Sequence, residues 1–156
     1  MAKDISRFNN DIRMACGAFG DQHVFWPKDA SYVKIDQFPL PGNFRYPRTN
    51  IIIIIPENYG YGGCFRDIFL DPDLELLDKD GRSFRRLSGD IHGFRKYPYS
   101  SMSDGMKEIF VRRNWFYLCL HDKDSKSCIV NYLYKVNLFL ANPYKDWKAI
   151  ENGYAI

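Results

Sequence analysis

Five consecutive isoleucines, Ile51 to Ile55, constrain the fold of this chain more than any other feature. Their β-branched side chains are stiff at χ1 and suit a pleated surface. Side chains alternate across a strand, so an unbroken apolar run is apolar on both faces. The run therefore predicts a central strand over 49–55, covered on both sides. Pro56 lacks a backbone N–H and stops it.

The flanking segments fit a sheet built around that strand. Val33 and Ile35 alternate with Lys34 and Asp36, which predicts a half-buried strand over 31–38. Pro39 and Pro41 end it, since proline cannot donate to a ladder. After Pro56 comes a glycine-rich aromatic loop, Tyr59-Gly60-Tyr61-Gly62-Gly63. Ile68, Phe69 and Leu70 resume extended structure until Asp71-Pro72-Asp73 breaks it. Residues 74–77 read as a short strand turned by Asp78-Lys79-Asp80-Gly81. Residues 82–105 are polar and turn-rich, which predicts one long loop. Residues 109–120, with Trp115, Phe116 and Tyr117, read as an aromatic strand.

Helical spacing appears at both ends. Ile5, Phe8, Ile12 and Ala15 predict an amphipathic helix, ended by Gly17 and Gly20. Ile129, Leu133, Val136 and Leu140 form a second apolar stripe, with Ser125 or Ser127 as its cap and Asn142-Pro143 as its end. A further short helix is expected over 144–150, with Trp147 packing. The order predicts an α+β fold with an antiparallel sheet and helices at its ends.

The chain has 156 residues, which suits one domain, and 46% hydrophobic residues supply its core. A net charge of +3 is too small to demand a nucleic-acid partner. Arg82, Arg85, Arg86, Arg95, Lys96, Arg112 and Arg113 form a local basic concentration. It reads as a solvated face, or functionally as a docking surface for an acidic partner. No apolar run is long enough for a membrane span, and no leader pattern is visible, so a soluble cytoplasmic protein is expected. Cys16, Cys64, Cys119 and Cys128 are irregularly spaced without a Cys-x-x-Cys pair. That argues against a zinc knuckle or a disulfide framework and fits reduced thiols. Cys119, His121 and Cys128 lack a fourth ligand at useful spacing, so no metal or cofactor is expected.

Several pieces occur in an order that resembles a known family. They are Phe38-Pro39-Leu40-Pro41-Gly42, then Thr49-Asn50 with the isoleucine strand, Pro56 and Tyr59, Asp67-Ile68-Phe69, and Asp71-Pro72. Trp115, Leu118, Cys119 and His121 continue the set. The chain resembles the prokaryotic ubiquitin-conjugating-enzyme-like family E, which at these last positions has a tryptophan, a bulky residue, a small hydroxyl or thiol residue, and a histidine. The resemblance runs from about Tyr32 to Asn142. Residues 1–30 then read as an N-terminal helical extension of the same domain, and 31–156 as the conjugating-enzyme-like domain.

The resemblance implies an antiparallel four-stranded meander with an N-terminal helix and C-terminal helices. It also implies a bacterial transferase with Cys119 as nucleophile. Such a protein accepts a ubiquitin-like protein from an activating enzyme as a thioester and passes it to a protein substrate. Neither nucleic acid nor membrane is implied as a partner. The chain departs from the eukaryotic enzymes in having no His-Pro-Asn triplet. Tyr59-Gly60 and Gly62-Gly63-Cys64 replace the usual Tyr-Pro and Pro-Pro pattern. An inactive scaffold of the same fold, holding a ubiquitin-like protein or its activating enzyme, is the alternative reading.

A thiolate suits the transfer because it attacks and leaves readily. If the chain stays extended, Cys119 and His121 point to the same side, and His121 can lower the thiol pKa or take a proton. Without the resemblance, Cys119 between Leu118 and Leu120 reads as a buried core cysteine. Cys64 reads as a loop cysteine, Cys128 as a thiol at a helix start, and Cys16 as core. His92 reads as an exposed loop histidine, or functionally as a gate or second proton acceptor. Trp115 is expected to pack in the core, and Asp67 to hold a turn.

Overall fold

The computed structural model describes residues 3–88, 94–95 and 115–145. Helix α1 (Ile5–Phe19) starts where the Asp4 side chain accepts the Arg7 N–H at 3.1 Å. Gly20 stops it with φ 95, its own N–H returning to Cys16 O at 2.8 Å. Gly17, expected to share that role, lies inside the helix. A 3-10 turn, Asp21–His23, leads into a two-residue strand, β1 (Val24–Phe25).

Strands β2 (Tyr32–Pro39), β3 (Arg48–Ile54) and β4 (Asp67–Leu70) follow, each antiparallel to its predecessor. With β1 they make a four-stranded meander. The residues expected to form one loop over 82–105 hold more structure than that. The turn ending at Gly81, where φ is 70, continues into a hairpin of β5 (Glu75–Leu77) and β6 (Phe84–Arg86). Asp78 closes it by accepting the Ser83 hydroxyl at 2.9 Å and the Arg82 N–H at 3.1 Å. The side chains of β6 are exposed, so no apolar alternation marked it as a strand.

Strand β7 (Phe94–Arg95) pairs with β8 (Phe116–Cys119), and β8 with β4. The main sheet thus has six strands in the order β1-β2-β3-β4-β8-β7, two more than expected. The aromatic strand expected over 109–120 is present as β8, and residues 109–114 lie outside the described residues. So do His92, Lys96, Arg112, Arg113 and the side chain of Arg95. Tyr144 sits in a turn rather than in the helix expected at 144–150, whose residues 146–150 are not described.

The second helix, α2 (Ile129–Ala141), is capped by neither expected serine. The Sγ of Cys128 accepts the Asn131 N–H at 3.4 Å. At its far end Asn43 Nδ2 donates to Leu140 O at 2.9 Å, satisfying one of the carbonyls that a helix terminus leaves open. Both helices cover one face of the sheet. Phe8, Ile12 and Ala15 of α1 and Tyr132, Leu133, Val136 and Phe139 of α2 bury against it. From the sheet come Val33, Ile35, Ile51, Ile53, Ile68, Leu70 and Leu118.

The isoleucine run behaves as its pattern requires. Ile51 and Ile53 face the helices, while Ile52 and Ile54 turn to the opposite face with Phe69 and Tyr117, all buried. Asp71 ties β3 to β4, accepting Asn50 N at 2.9 Å and Thr49 Oγ1 at 3.1 Å.

Candidate functional site

Strand alternation decides which side chains share the face opposite the helices. Tyr117 and Cys119 point there, while Leu118 between them enters the main core. Cys119 stands directly across from Asp67 of β4. The pairing continues past the strand end, with Leu120 N donating to Arg66 O at 2.9 Å. That makes 120/66 a hydrogen-bonded pair and 119/67 the intervening non-bonded pair, with Cα atoms about 4.5 Å apart and side chains close.

Asp67 is a charged residue in a strand otherwise apolar, and it is buried. The Tyr117 hydroxyl donates to its Oδ1. Arg66 Nε lies 3.4 Å from its Oδ2. Cys119 lies two residues along the same strand from Tyr117, on the same face. Burial pushes the phenol well above its ordinary range, and the hydrogen bond to Asp67 and the Asp67 charge push it further. On the face that the Cys119 thiol shares, the phenol and the carboxylate therefore form one hydrogen-bonded pair. Ile52, Ile54 and Phe69 surround it, with half-buried Tyr32 and Trp115 packed alongside.

His121, two residues beyond the strand end, is exposed and lines a cleft of about 390 Å³. Its position is set by its neighbours rather than by its own bonds. Asp122 N donates to Phe65 O at 2.9 Å, and buried Asp122 takes the Lys135 ammonium at 2.9 Å. Tyr132 of α2 donates to Leu120 O at 2.8 Å. Asp67, Glu57, Arg66 and Cys64 line the cleft with His121, against an apolar wall of Ile54, Ile55 and Pro56. Cys119 is half-buried and is not among the described residues that form this lining.

The structure thus places His121 at a cleft that Asp67 also lines, and Cys119 across from Asp67. It also brings Cys64, read from sequence as a plain loop cysteine, to the same cleft as His121. Gly60 and Gly62, with φ 88 and 96, turn the chain back from β3 and deliver it there. Cys16 packs partly buried against the main core, and burial followed by the Asp21 charge pushes its thiol pKa up. Cys128 serves as a helix cap. Sequence reasoning missed Tyr117 and gave Asp67 only a turn. The available signal was an acidic residue heading a strand whose other residues are all apolar.

Among the described residues, no three of His, Cys, Asp or Glu gather as a metal site would need. No described helix is long and apolar enough to cross a membrane. No protein-family model matches the chain, and neither a curated protein nor a solved structure matches it.

Proposed function

We propose that this protein is a ubiquitin-conjugating-enzyme-like transferase of the bacterial type. It accepts a ubiquitin-like protein from an activating enzyme as a thioester on Cys119 and passes it to a nucleophile of a target protein. One observation carries the reading: a strand-end thiol on the helix-free face, directly across from Asp67, which lines the same cleft as His121. The element order supports it, since an N-terminal helix, an antiparallel meander, the thiol strand and a helix follow in turn.

In the transfer, the acceptor attacks the thioester carbonyl and the C–S bond to Cys119 breaks. His121, open to the cleft, takes the acceptor's proton. A scaffold that holds the ubiquitin-like protein without reacting is the second reading. It is favoured by the Asp67 carboxylate opposite Cys119, because a neighbouring negative charge disfavours the thiolate.

The test mixes the protein with its activating enzyme, the ubiquitin-like protein and ATP, followed by a non-reducing gel. The expected result is a covalent band lost with thiol reductant and with Cys119→Ala. A band that resists reductant would move the nucleophile to a hydroxyl or an amine. Absence of any band, with a stable complex on a sizing column, would establish the scaffold instead.

A further inference from the structure

Leu120 packs against the main core and Asp122 is only 5% exposed, while His121 between them is exposed. Asp122 is a costly residue to bury. Its Oδ1 accepts the Asp124 N–H and the Lys135 ammonium, each at 2.9 Å. Its Oδ2 is buried and has no hydrogen-bond partner among the described residues. Among the described residues, Lys135 is also the single cation paired with it. The same ammonium donates to the hydroxyl of Ser127, itself buried, at 3.1 Å. One charge on α2 thus compensates a buried carboxylate next to His121. We infer that Lys135 is a positioning residue for His121, acting through the charge of its ammonium on Asp122. As a statement about catalysis, this rests on the reading of His121 as the base in the proposed transfer.

The segment around His121 has two anchors of different kinds. On one side, Leu120 N donates to Arg66 O at 2.9 Å, and Leu120 O accepts the Tyr132 hydroxyl at 2.8 Å. Neither bond involves Lys135. On the other side, Asp122 N donates to Phe65 O at 2.9 Å, and that bond requires the Asp122 side chain to stay inside. Removing one partner of a buried ion pair leaves an uncompensated charge, which costs more than the intact pair contributes. With Lys135 neutral, the Asp122 carboxylate regains solvation by turning the chain outward. The bond to Phe65 then breaks and His121 leaves the cleft. The Tyr132 phenol feels the same carboxylate, but burial keeps it neutral, so it supplies no compensating charge. Lys135 is not among the described residues that line the cleft, and its side chain is 44% exposed. Loss of this one charge therefore reaches the site from α2 without altering the lining.

The test is amide hydrogen exchange, read residue by residue by NMR on the folded full-length protein, because it separates local release from a change in overall stability. Lys135→Met keeps most of the stem and removes the charge. The Asp122 amide should then exchange about a hundred-fold faster, beyond any change at the Ile52 and Ile53 amides, which report global unfolding. Lys135→Arg keeps the charge and should restore most of the protection. The double variant Lys135→Met with Asp122→Asn removes both charges and should also lie close to wild type. Acceleration of every amide by the same factor overturns the inference. So does failure of both Lys135→Arg and the double variant to restore protection, since the stem or its packing would then be what matters. If Lys135→Met does not fold, Lys135→Gln replaces it, its neutral amide still able to donate to Asp122. A smaller acceleration confined to the Asp122 segment is then expected, and none overturns the inference. With the activating enzyme, the ubiquitin-like protein and ATP, Lys135→Met should load Cys119 normally. It should discharge the thioester to free lysine about a hundred-fold more slowly, as His121→Gln does. Release of Asp122 without any thioester on Cys119 would sink the transfer reading and leave the charge anchor standing. A thioester whose discharge and amide exchange ignore Lys135→Met would do the reverse.

Discussion

Three buried tyrosines show how single residues tie this protein's stability to pH. Tyr59 donates its hydroxyl to buried Asp11, Tyr117 to Asp67, and Tyr132 to the Leu120 carbonyl. Burial is the largest reason that each phenol is pushed up, and the charge of a nearby carboxylate adds to it in all three. The sign follows from proton counting. The folded protein keeps protons that the unfolded chain releases near pH 10, so their stabilisation is complete below that pH and is lost as pH rises above it. Each group contributes a slope of up to about 1.4 kcal/mol per pH unit. The urea midpoint should therefore hold near pH 8.5 and fall steeply between pH 10 and 11. A midpoint level across that interval would contradict the assignment. Tyr59→Phe should remove one group's share of the slope. It should also cost about 1–3 kcal/mol at pH 8, because Asp11 loses its donor while staying buried.

At the scale of elements, α2 offers the cleanest test, because its cap is a sulfur atom. A thiol is a weak acceptor, whereas a serine hydroxyl is a preferred one at the same position. Cys128→Ser should therefore stabilise the protein by about 0.5–1 kcal/mol, read as a higher urea midpoint with an unchanged slope. A loss of stability would mean that packing of the half-buried sulfur outweighs the cap. The sequence showed where α2 begins but not what caps it, because serine is the commoner cap and two serines stood close by. The same contrast runs through the sheet. The isoleucine run was legible as a covered central strand because period two and β-branching agree there. Strand β6 was not, because Phe84, Arg85 and Arg86 are all exposed and its pairing rests on the Asp78 turn. That Cys119 shares a face with Tyr117 followed from alternation alone, whereas His121 lies beyond the end of the strand. Asp67 across from Cys119 could not be read, since register between β4 and β8 joins residues about fifty positions apart. The nearness of Cys64 to His121 depends on that register too.

Across the whole molecule, the first helix reaches both sides of the candidate cleft. Asp4 N donates to Tyr59 O at 2.8 Å, holding the loop that carries Glu57 and leads to Cys64. The Arg7 guanidinium lies over the Tyr59 ring, 4.9 Å from its centroid. Its Nη2 donates to Ser125 O and Ser127 O, each at 3.1 Å, fixing the segment that follows His121. Its Nε stands 3.8 Å from the Asp11 carboxylate. One side chain thus joins the two loops that flank the site, and what it contributes is position rather than chemistry. Arg7→Met keeps much of the apolar stem but removes every one of these polar contacts. The loss should be about 2–3 kcal/mol, since hydrogen bonds from a charged group are involved and Asp11 stays buried. Alkylation of Cys64 should also rise several-fold under native conditions, because the loop before it can open locally without global unfolding. Arg13→Met, on the exposed side of the same helix, should change stability by no more than about 0.5 kcal/mol and leave Cys64 as it was. Equal effects from the two variants would mean that α1 is held by its apolar stripe alone. A large loss of stability with Cys64 unchanged would mean that Arg7 anchors the helix but not the cleft.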